Sequence, residues 1–143
     1  MKLALIGTFP PRECGIGTFT KNLFDSILSN YKKKGNGYGS FVVALNDNDL
    51  VYDYPECVKQ IIRQERQEDY LQAVRYINLS GADICILEHE FGIFGGQNGV
   101  YILPLLHRLE IPLIVTLHTI LKTPSYNEKI VLQEIPLSRI ESL

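Results

Sequence analysis

The chain has 143 residues, of which 45% are hydrophobic and 21% are charged, and its formal net charge is -2. These values are typical of one globular domain and exclude a disordered, collagen-like or coiled-coil class. A nearly balanced charge gives no reason to expect nucleic acid as a partner. We expect no transmembrane segment and no signal peptide, because every apolar run is too short. Three cysteines without paired spacing favour a reducing, cytoplasmic location.

The first half of the chain alternates short apolar runs with amphipathic segments. In chain order the pattern predicts a strand at residues 2–7, a helix from Thr18 that ends before Gly35, strands at residues 41–45 and 58–62, and a helix that ends near Gly81. Runs that are apolar without alternation indicate strands buried on both faces. Gly81 has the position of a helix C′ glycine.

The second half continues the alternation. It predicts a strand at residues 83–87, a glycine-containing loop at 88–99, a helix at 100–109, a strand at 113–117, and a final helix from Ser125 toward Leu143 with a kink at Pro136. Ser125 and Glu128 have the spacing of a capping box. Strands that alternate with helices predict an α/β fold, a Rossmann-like, doubly wound parallel sheet in a single domain.

In such a sheet, with strand order 3-2-1-4-5, ligands bind beyond the carboxyl ends of strands one and four, where the strand order reverses. The loop after strand one carries Gly15, Ile16 and Gly17 at the start of a predicted helix. Exposed N–H groups and the positive helix end there favour phosphate or carboxylate. A glycine-lined turn without a ligand is the alternative. The dinucleotide fingerprint is absent, because its third position is Thr20 and no acidic residue closes strand two.

The loop after strand four begins with three successive titratable residues, Glu88, His89 and Glu90, which Phe91 follows. Burial could separate their pKa values and so create an acid and a base. The alternative is that these side chains only hydrogen-bond the loop. A metal site is disfavoured, because Ile93 rather than a second histidine lies four residues after His89.

His118 ends strand five on the same edge as both loops, where a histidine either contacts a ligand or caps backbone groups. His107 lies within a predicted helix and is expected on the surface or in packing. Cys14, near Arg12 and a helix start, could have a lowered pKa, but no histidine lies in its loop to activate it. We therefore do not favour a nucleophilic cysteine.

Together these segments resemble the N-terminal half of bacterial family-four glycosyltransferases of the GT-B class. The resemblance covers nearly the whole chain in the order of the family: residues 9–19, residues 43–47 with Tyr54 and Pro55, residues 88–96 and residues 116–119. It implies a retaining, metal-independent transfer of a hexose from a nucleotide diphosphate sugar to a sugar or lipid-linked acceptor. The reaction would need no cofactor and would take place in a cleft between two Rossmann-like domains.

The resemblance also implies roles for individual residues. The donor phosphates would approach Gly15, Ile16 and Gly17. His118 would be catalytic and reach the donor sugar near the reacting carbon. The acceptor side would be lined by four successive residues, Glu88, His89, Glu90 and Phe91.

The C-terminal donor-binding domain of the family has no counterpart in these 143 residues. We therefore expect an acceptor-side domain that is inactive alone, because one half of a cleft cannot hold donor and acceptor in an attack geometry. The alternatives are a stand-alone nucleotide- or sugar-binding module and one half of a split transferase. A missing second domain would also leave an apolar patch exposed at Phe91, Ile93 and Phe94.

Overall fold

The structure, a computed structural model, describes residues 1–35, 37–47 and 49–137, with only the backbone described at 136 and 137. Its strands are β1 (Leu3–Gly7), β2 (Phe41–Asn46), β3 (Val58–Arg63), β4 (Ile84–His89) and β5 (Leu113–Leu117). Its α-helices are α1 (Gly15–Lys33), α2 (Gln67–Leu79), α3 (Leu103–Arg108) and α4 (Tyr126–Leu137). Two 3₁₀ segments, Phe91–Ile93 and Gln97–Ile102, lie between β4 and α3.

The five strands form one sheet in the order β3-β2-β1-β4-β5, and every neighbouring pair is parallel. This confirms the predicted Rossmann-like α/β fold and the predicted strand order. The order reverses between β1 and β4, so the carboxyl ends of these two strands flank the point where such sheets bind ligands. We call the edge at the carboxyl ends of β1, β4 and β5 the switch-point rim.

The central strands β1, β2 and β4 are covered on both faces, which explains why they are apolar without alternation. On one face Leu3 and Leu5 of β1 belong to a buried cluster with Phe24 of α1. On the other face Ala4 and Ile6 belong to a second cluster, which residues of α2, α3 and α4 complete. We call these the α1 face and the α2 face. Successive residues of a strand alternate between them.

Several element boundaries differ from the predicted ones. α1 begins at Gly15 rather than at Thr18, and β4 extends two residues past its predicted end, through Glu88 and His89. The predicted helix at residues 100–109 is α-helical only in part, because residues 100–102 belong to the second 3₁₀ segment, in which Asn98 (φ 54°) and Gly99 (φ 78°) have left-handed backbone angles. α3 therefore begins only at Leu103.

The predicted helix caps are confirmed. Gly81, two residues after the end of α2, has φ 76° as a C′ glycine requires. Ser125 and Glu128 form the capping box of α4, with the Ser125 N–H donating to Glu128 Oε2 at 2.6 Å and the Glu128 N–H to Ser125 Oγ at 3.3 Å. The described part of α4 passes Pro136 and ends at Leu137, and the rest of the predicted helix, residues 138–143, lies outside the described residues. Across the described ranges, no helix has both the length and the apolar character that crossing a membrane requires.

Candidate active site at the switch-point rim

A buried carboxylate and a histidine form the centre of the switch-point rim. Oε2 of Glu88, on β4, lies 2.6 Å from Nε2 of His118, which directly follows β5. The Glu88 side chain is 0% exposed and that of His118 is 18% exposed. Oε1 of Glu88 accepts a longer hydrogen bond from the Thr116 hydroxyl, at 3.4 Å. The strand register brings these groups together, because Glu88 is the partner of Thr116 in the β4–β5 ladder.

The backbone of His118 is fixed as well. Its N–H donates to the carbonyl oxygen of His89 at 2.9 Å, which extends the ladder one residue beyond β5. Its ring meets the ring of Phe19 edge to face, with 4.9 Å between the ring centroids. Since Phe19 belongs to α1, this contact joins the end of β5 to the first turns of that helix. The end of β4, the end of β5 and the first turns of α1 therefore meet at one edge of the sheet.

Gly7, the last residue of β1, allows α1 to approach the Glu88–His118 pair closely. A Cβ atom at Gly7 would lie 3.0 Å from Thr20 Oγ1 and 3.2 Å from Glu88 Cβ. Thr20 is buried in α1 and donates its hydroxyl to the Ile16 carbonyl at 2.8 Å. Neither Gly7 nor Thr20 was a predicted site residue. A glycine at a strand end and a threonine on the apolar side of a helix are the signals that point to this contact.

His89 does not lie in a loop, which corrects the sequence-based prediction. It is the last residue of β4, and the two-residue period of the strand turns its side chain to the α2 face, away from Glu88. Its ring is fully buried, meets Phe91 edge to face and stacks on Phe94. Neither ring nitrogen has a hydrogen-bond partner among the described residues. Burial lowers the pKa of His89 to about 4, a shift that His118 reinforces and Glu90 opposes.

Glu90 and Phe91 begin the connection that follows β4. Glu90 caps the first 3₁₀ segment, since its Oε1 accepts from the Phe91 N–H at 2.9 Å. Its other carboxylate oxygen, Oε2, accepts a hydrogen bond from the Thr119 hydroxyl. Both carboxylate oxygens of Glu90 therefore accept hydrogen bonds that stabilise the loop, which agrees with the alternative interpretation of the sequence. Glu90 and Phe91 are nevertheless half-exposed, whereas Glu88 and His89 are fully buried.

The three predicted phosphate-binding residues form the first turn of α1, but their environments differ. Gly15 is exposed, and a Cβ placed on it would meet no atom within 4 Å. Ile16 packs partly against the core of the α2 face. Gly17 is buried, where a Cβ would lie 3.4 Å from the Arg12 carbonyl oxygen and 3.5 Å from Thr8 Oγ1. Gly17 thus lets the helix pack closely against the preceding loop, and Gly15 is the open position.

Cys14 precedes α1 at the N-cap position, and its Sγ lies 3.3 Å from the Thr8 hydroxyl. Burial raises the pKa of the Cys14 thiol, but the Thr8 hydroxyl, the N–H groups of Gly17 and Ile16 and the Arg12 guanidinium together hold the pKa below its ordinary value. The sulfur does not reach the geometry of a capping hydrogen bond. The thiol is therefore a weak hydrogen-bond partner for the N–H groups at the start of α1, which remain available to a stronger acceptor.

Arg12 anchors the loop between β1 and α1 to the neighbouring strand. Its guanidinium donates to the Leu45 carbonyl at 2.9 Å and lies 3.7 Å from the Asp47 carboxylate. The Tyr54 hydroxyl donates to Asn46 Oδ1 at 2.9 Å. Arg12 thus ties the loop to the end of β2, and Tyr54 holds the side chain of Asn46 at that strand end.

The predicted exposed patch at Phe91, Ile93 and Phe94 is wrong. Ile93 and Phe94 are buried, because the 3₁₀ segments fold them onto the core of the α2 face. The large apolar side chains exposed near the rim are others: Phe19, Leu117 and Ile120.

His107, as predicted, lies on the surface, where its Nε2 is 3.1 Å from Glu134 Oε2.

Within the part of the chain that the structure describes, no group of three histidine, cysteine, aspartate or glutamate residues is arranged to hold a metal ion. Comparison of the chain with protein-family models, with curated proteins and with solved structures found no match.

Proposed function

We propose that this domain forms the acceptor side of the active site of a retaining glycosyltransferase, which moves a hexose from a nucleotide diphosphate sugar to a sugar or lipid-linked acceptor. The observation that carries the proposal is the position of the Glu88–His118 pair beside the first turns of α1, where the strand order reverses. Ligands of open parallel sheets bind beyond the carboxyl ends of the strands at such a reversal, so one ligand there could contact both the helix start and His118.

The first turn of α1 supports the phosphate side of the proposal. It contains no acidic side chain, so the positive end of this 19-residue helix is not neutralised by its own residues. Gly15 leaves open space above that turn. A diphosphate approaching there would accept hydrogen bonds from backbone N–H groups that stay in place during reaction and stabilise the charge of a leaving phosphate.

The sugar side depends on His118, Glu90 and Phe91, which follow the ends of β4 and β5 and are partly exposed. His118 would contact the donor sugar, and Glu90 with Phe91 would border the acceptor. The structure revises the roles of the two other candidates. Glu88 supports His118 from below, and His89 lies too deep to touch an acceptor.

Two expectations complete the proposal. The site would work in the cytoplasm, in keeping with three cysteines that lack paired spacing. These 143 residues alone would bind a nucleotide sugar but would not transfer it, because the rim is one wall of a cleft and positioning contributes about 7–11 kcal/mol to such reactions.

Calorimetry with UDP- and GDP-sugars tests the proposal. We expect binding in the micromolar to millimolar range and a loss of at least about tenfold in Gly15→Asp, which places a carboxylate beside the diphosphate at a position where a Cβ meets no atom within 4 Å. Ser29→Asp adds the same charge at an exposed site farther along α1 and should bind normally. Absence of binding by every nucleotide sugar, or equal binding by both variants, would contradict the proposal. Equal affinity for the nucleotide without its sugar would favour a nucleotide-binding module.

A further inference from the structure

The two ring nitrogens of His118 have different surroundings. Nε2 points to the buried carboxylate of Glu88. Nδ1 has no hydrogen-bond partner among residues 1–35, 37–47 and 49–137, and it is not fully buried. In a neutral imidazole one nitrogen donates and the other accepts, so the partner of Nε2 decides which role Nδ1 has.

The environment of Glu88 decides the direction of that hydrogen bond. The side chain is 0% exposed, so its carboxylate depends on donors from the protein. The Thr116 hydroxyl reaches it only at 3.4 Å, which leaves the Nε2 contact at 2.6 Å as its principal hydrogen bond. A carboxylate accepts and does not donate, and hydrogen bonds to a charged acceptor are short and strong. The proton therefore belongs on Nε2.

The position of the ring is fixed independently of this hydrogen bond. The backbone N–H of His118 is held by the His89 carbonyl, and Phe19 packs against the ring edge to face. Gly7 and Thr20 close the space around Glu88 on the side of α1. The carboxylate thus has little freedom to turn away from Nε2, and the imidazole has little freedom to flip.

We propose that Glu88 is a positioning residue that holds His118 as the Nε2–H tautomer, so that the Nδ1 lone pair accepts a hydrogen bond from a hydroxyl group of the bound sugar. The tautomer follows from the contacts of this chain, and only the identity of the ligand rests on the proposed function. The rim then separates two kinds of recognition. N–H groups at the start of α1 face phosphate oxygens, whereas a neutral acceptor faces hydroxyl groups.

Nitrogen-15 NMR of the histidine rings tests this inference on the 143-residue chain without any ligand. The chain has three histidines, which single substitutions assign. At neutral pH we expect the Nε2–H form of His118 to exceed the Nδ1–H form by about tenfold or more, because the hydrogen bond to a charged group is lost in the other form. Glu88→Gln should lower this ratio by about tenfold, since an amide can either accept from Nε2 or donate to it.

The exposed His107–Glu134 pair supplies a matched control. It joins the same two atom types at 3.1 Å, but both of its side chains are at least 40% exposed. Glu134→Gln should leave the tautomer ratios of His107 and His118 nearly unchanged, because water replaces the lost partner of His107 and His118 does not touch that pair. Equal shifts in both variants would contradict a specific role for the buried carboxylate.

The wild-type spectrum shows which tautomer His118 has even if Glu88→Gln fails to fold. A His118 that is mainly Nδ1–H, or an even mixture, overturns the inference, and so does a folded Glu88→Gln chain with an unchanged ratio. Both results would leave the binding of nucleotide sugars by calorimetry unaffected. Conversely, a clear Nε2–H tautomer in a chain that binds no nucleotide sugar supports the positioning role of Glu88 and refutes the proposed ligand.

Discussion

Gly7→Ala should destabilise the domain although its backbone angles suit alanine. The new Cβ would lie 3.0 Å from Thr20 Oγ1 and 3.2 Å from Glu88 Cβ, both closer than ordinary contact. Neither neighbour can move easily, because the Thr20 hydroxyl is hydrogen-bonded to Ile16 and the Glu88 carboxylate to His118. Overpacking of this kind costs about 1–3 kcal/mol.

A smaller effect of opposite sign accompanies every exchange of glycine for alanine. The unfolded chain loses conformational freedom, which stabilises the folded state by about 0.4–1 kcal/mol. The expected net loss for Gly7→Ala is therefore about 1–2 kcal/mol of unfolding free energy. Gly15→Ala is the matched control, since a Cβ there meets no atom within 4 Å and only the stabilising effect remains.

Urea denaturation measures both variants. With a slope of about 2 kcal/mol per molar urea, the midpoint of Gly7→Ala should fall by about 0.5–1 M, and that of Gly15→Ala should rise by about 0.2–0.5 M. The difference between the two variants gives the packing cost at the end of β1. A Gly7→Ala midpoint equal to or above that of Gly15→Ala would refute the argument that α1, β1 and β4 meet too closely for a side chain.

Two further predictions concern buried polar groups. The pKa of His89 is about 4 in the folded chain, whereas that of an exposed histidine is about 6.5. As the pH drops from 6.5 to 4, the unfolded chain takes up the proton first, so the free energy of unfolding should fall by up to about 3 kcal/mol. Urea midpoints at pH 7 and at about pH 4.5 should differ less in His89→Phe than in the wild type; an identical difference would assign the effect to other groups. The buried Tyr70 hydroxyl donates to the Gln64 carbonyl at 2.7 Å and accepts from the Gly95 N–H at 2.9 Å. Tyr70→Phe should therefore lower the free energy of unfolding by about 1–3 kcal/mol and the melting temperature by several degrees. Tyr101→Phe should change the melting temperature little, because no described residue hydrogen-bonds the Tyr101 hydroxyl. Equal decreases in both variants would contradict this explanation.

The fold could be predicted from the sequence because its signals are local. Short apolar runs mark β1, β2, β4 and β5, and positions such as Gly81 and Ser125 mark helix ends by their own backbone chemistry. The 3₁₀ segment Gln97–Ile102 was not predicted, because the sequence does not show that Asn98 takes a left-handed angle. Asparagine adopts that angle more readily than most residues, but only the surrounding contacts decide whether it does.

The location of the candidate site could be predicted, but the pairing within it could not. The carboxyl ends of parallel strands meet at one edge, so Gly15, Glu88 and His118 had to lie close together. Which side chain of the run Glu88–Glu90 meets His118 depends on where β4 ends. With two more strand residues, Glu88 and His89 alternate to opposite faces, and only Glu88 reaches the α1 face. Strand ends are set by pairing with β5, which lies 24 or more residues away in the chain.

The double attachment of His118 determines where the specificity of this rim can change. One residue of β4 holds its side chain and the next holds its backbone, so shifting His118 would require bending two adjacent strands. Evolution or a protein engineer seeking a different acceptor would therefore keep the strand ends and vary the segment after Thr119. That segment already presents Ile120 with 88% of its surface exposed, so its sequence can change without disturbing the core.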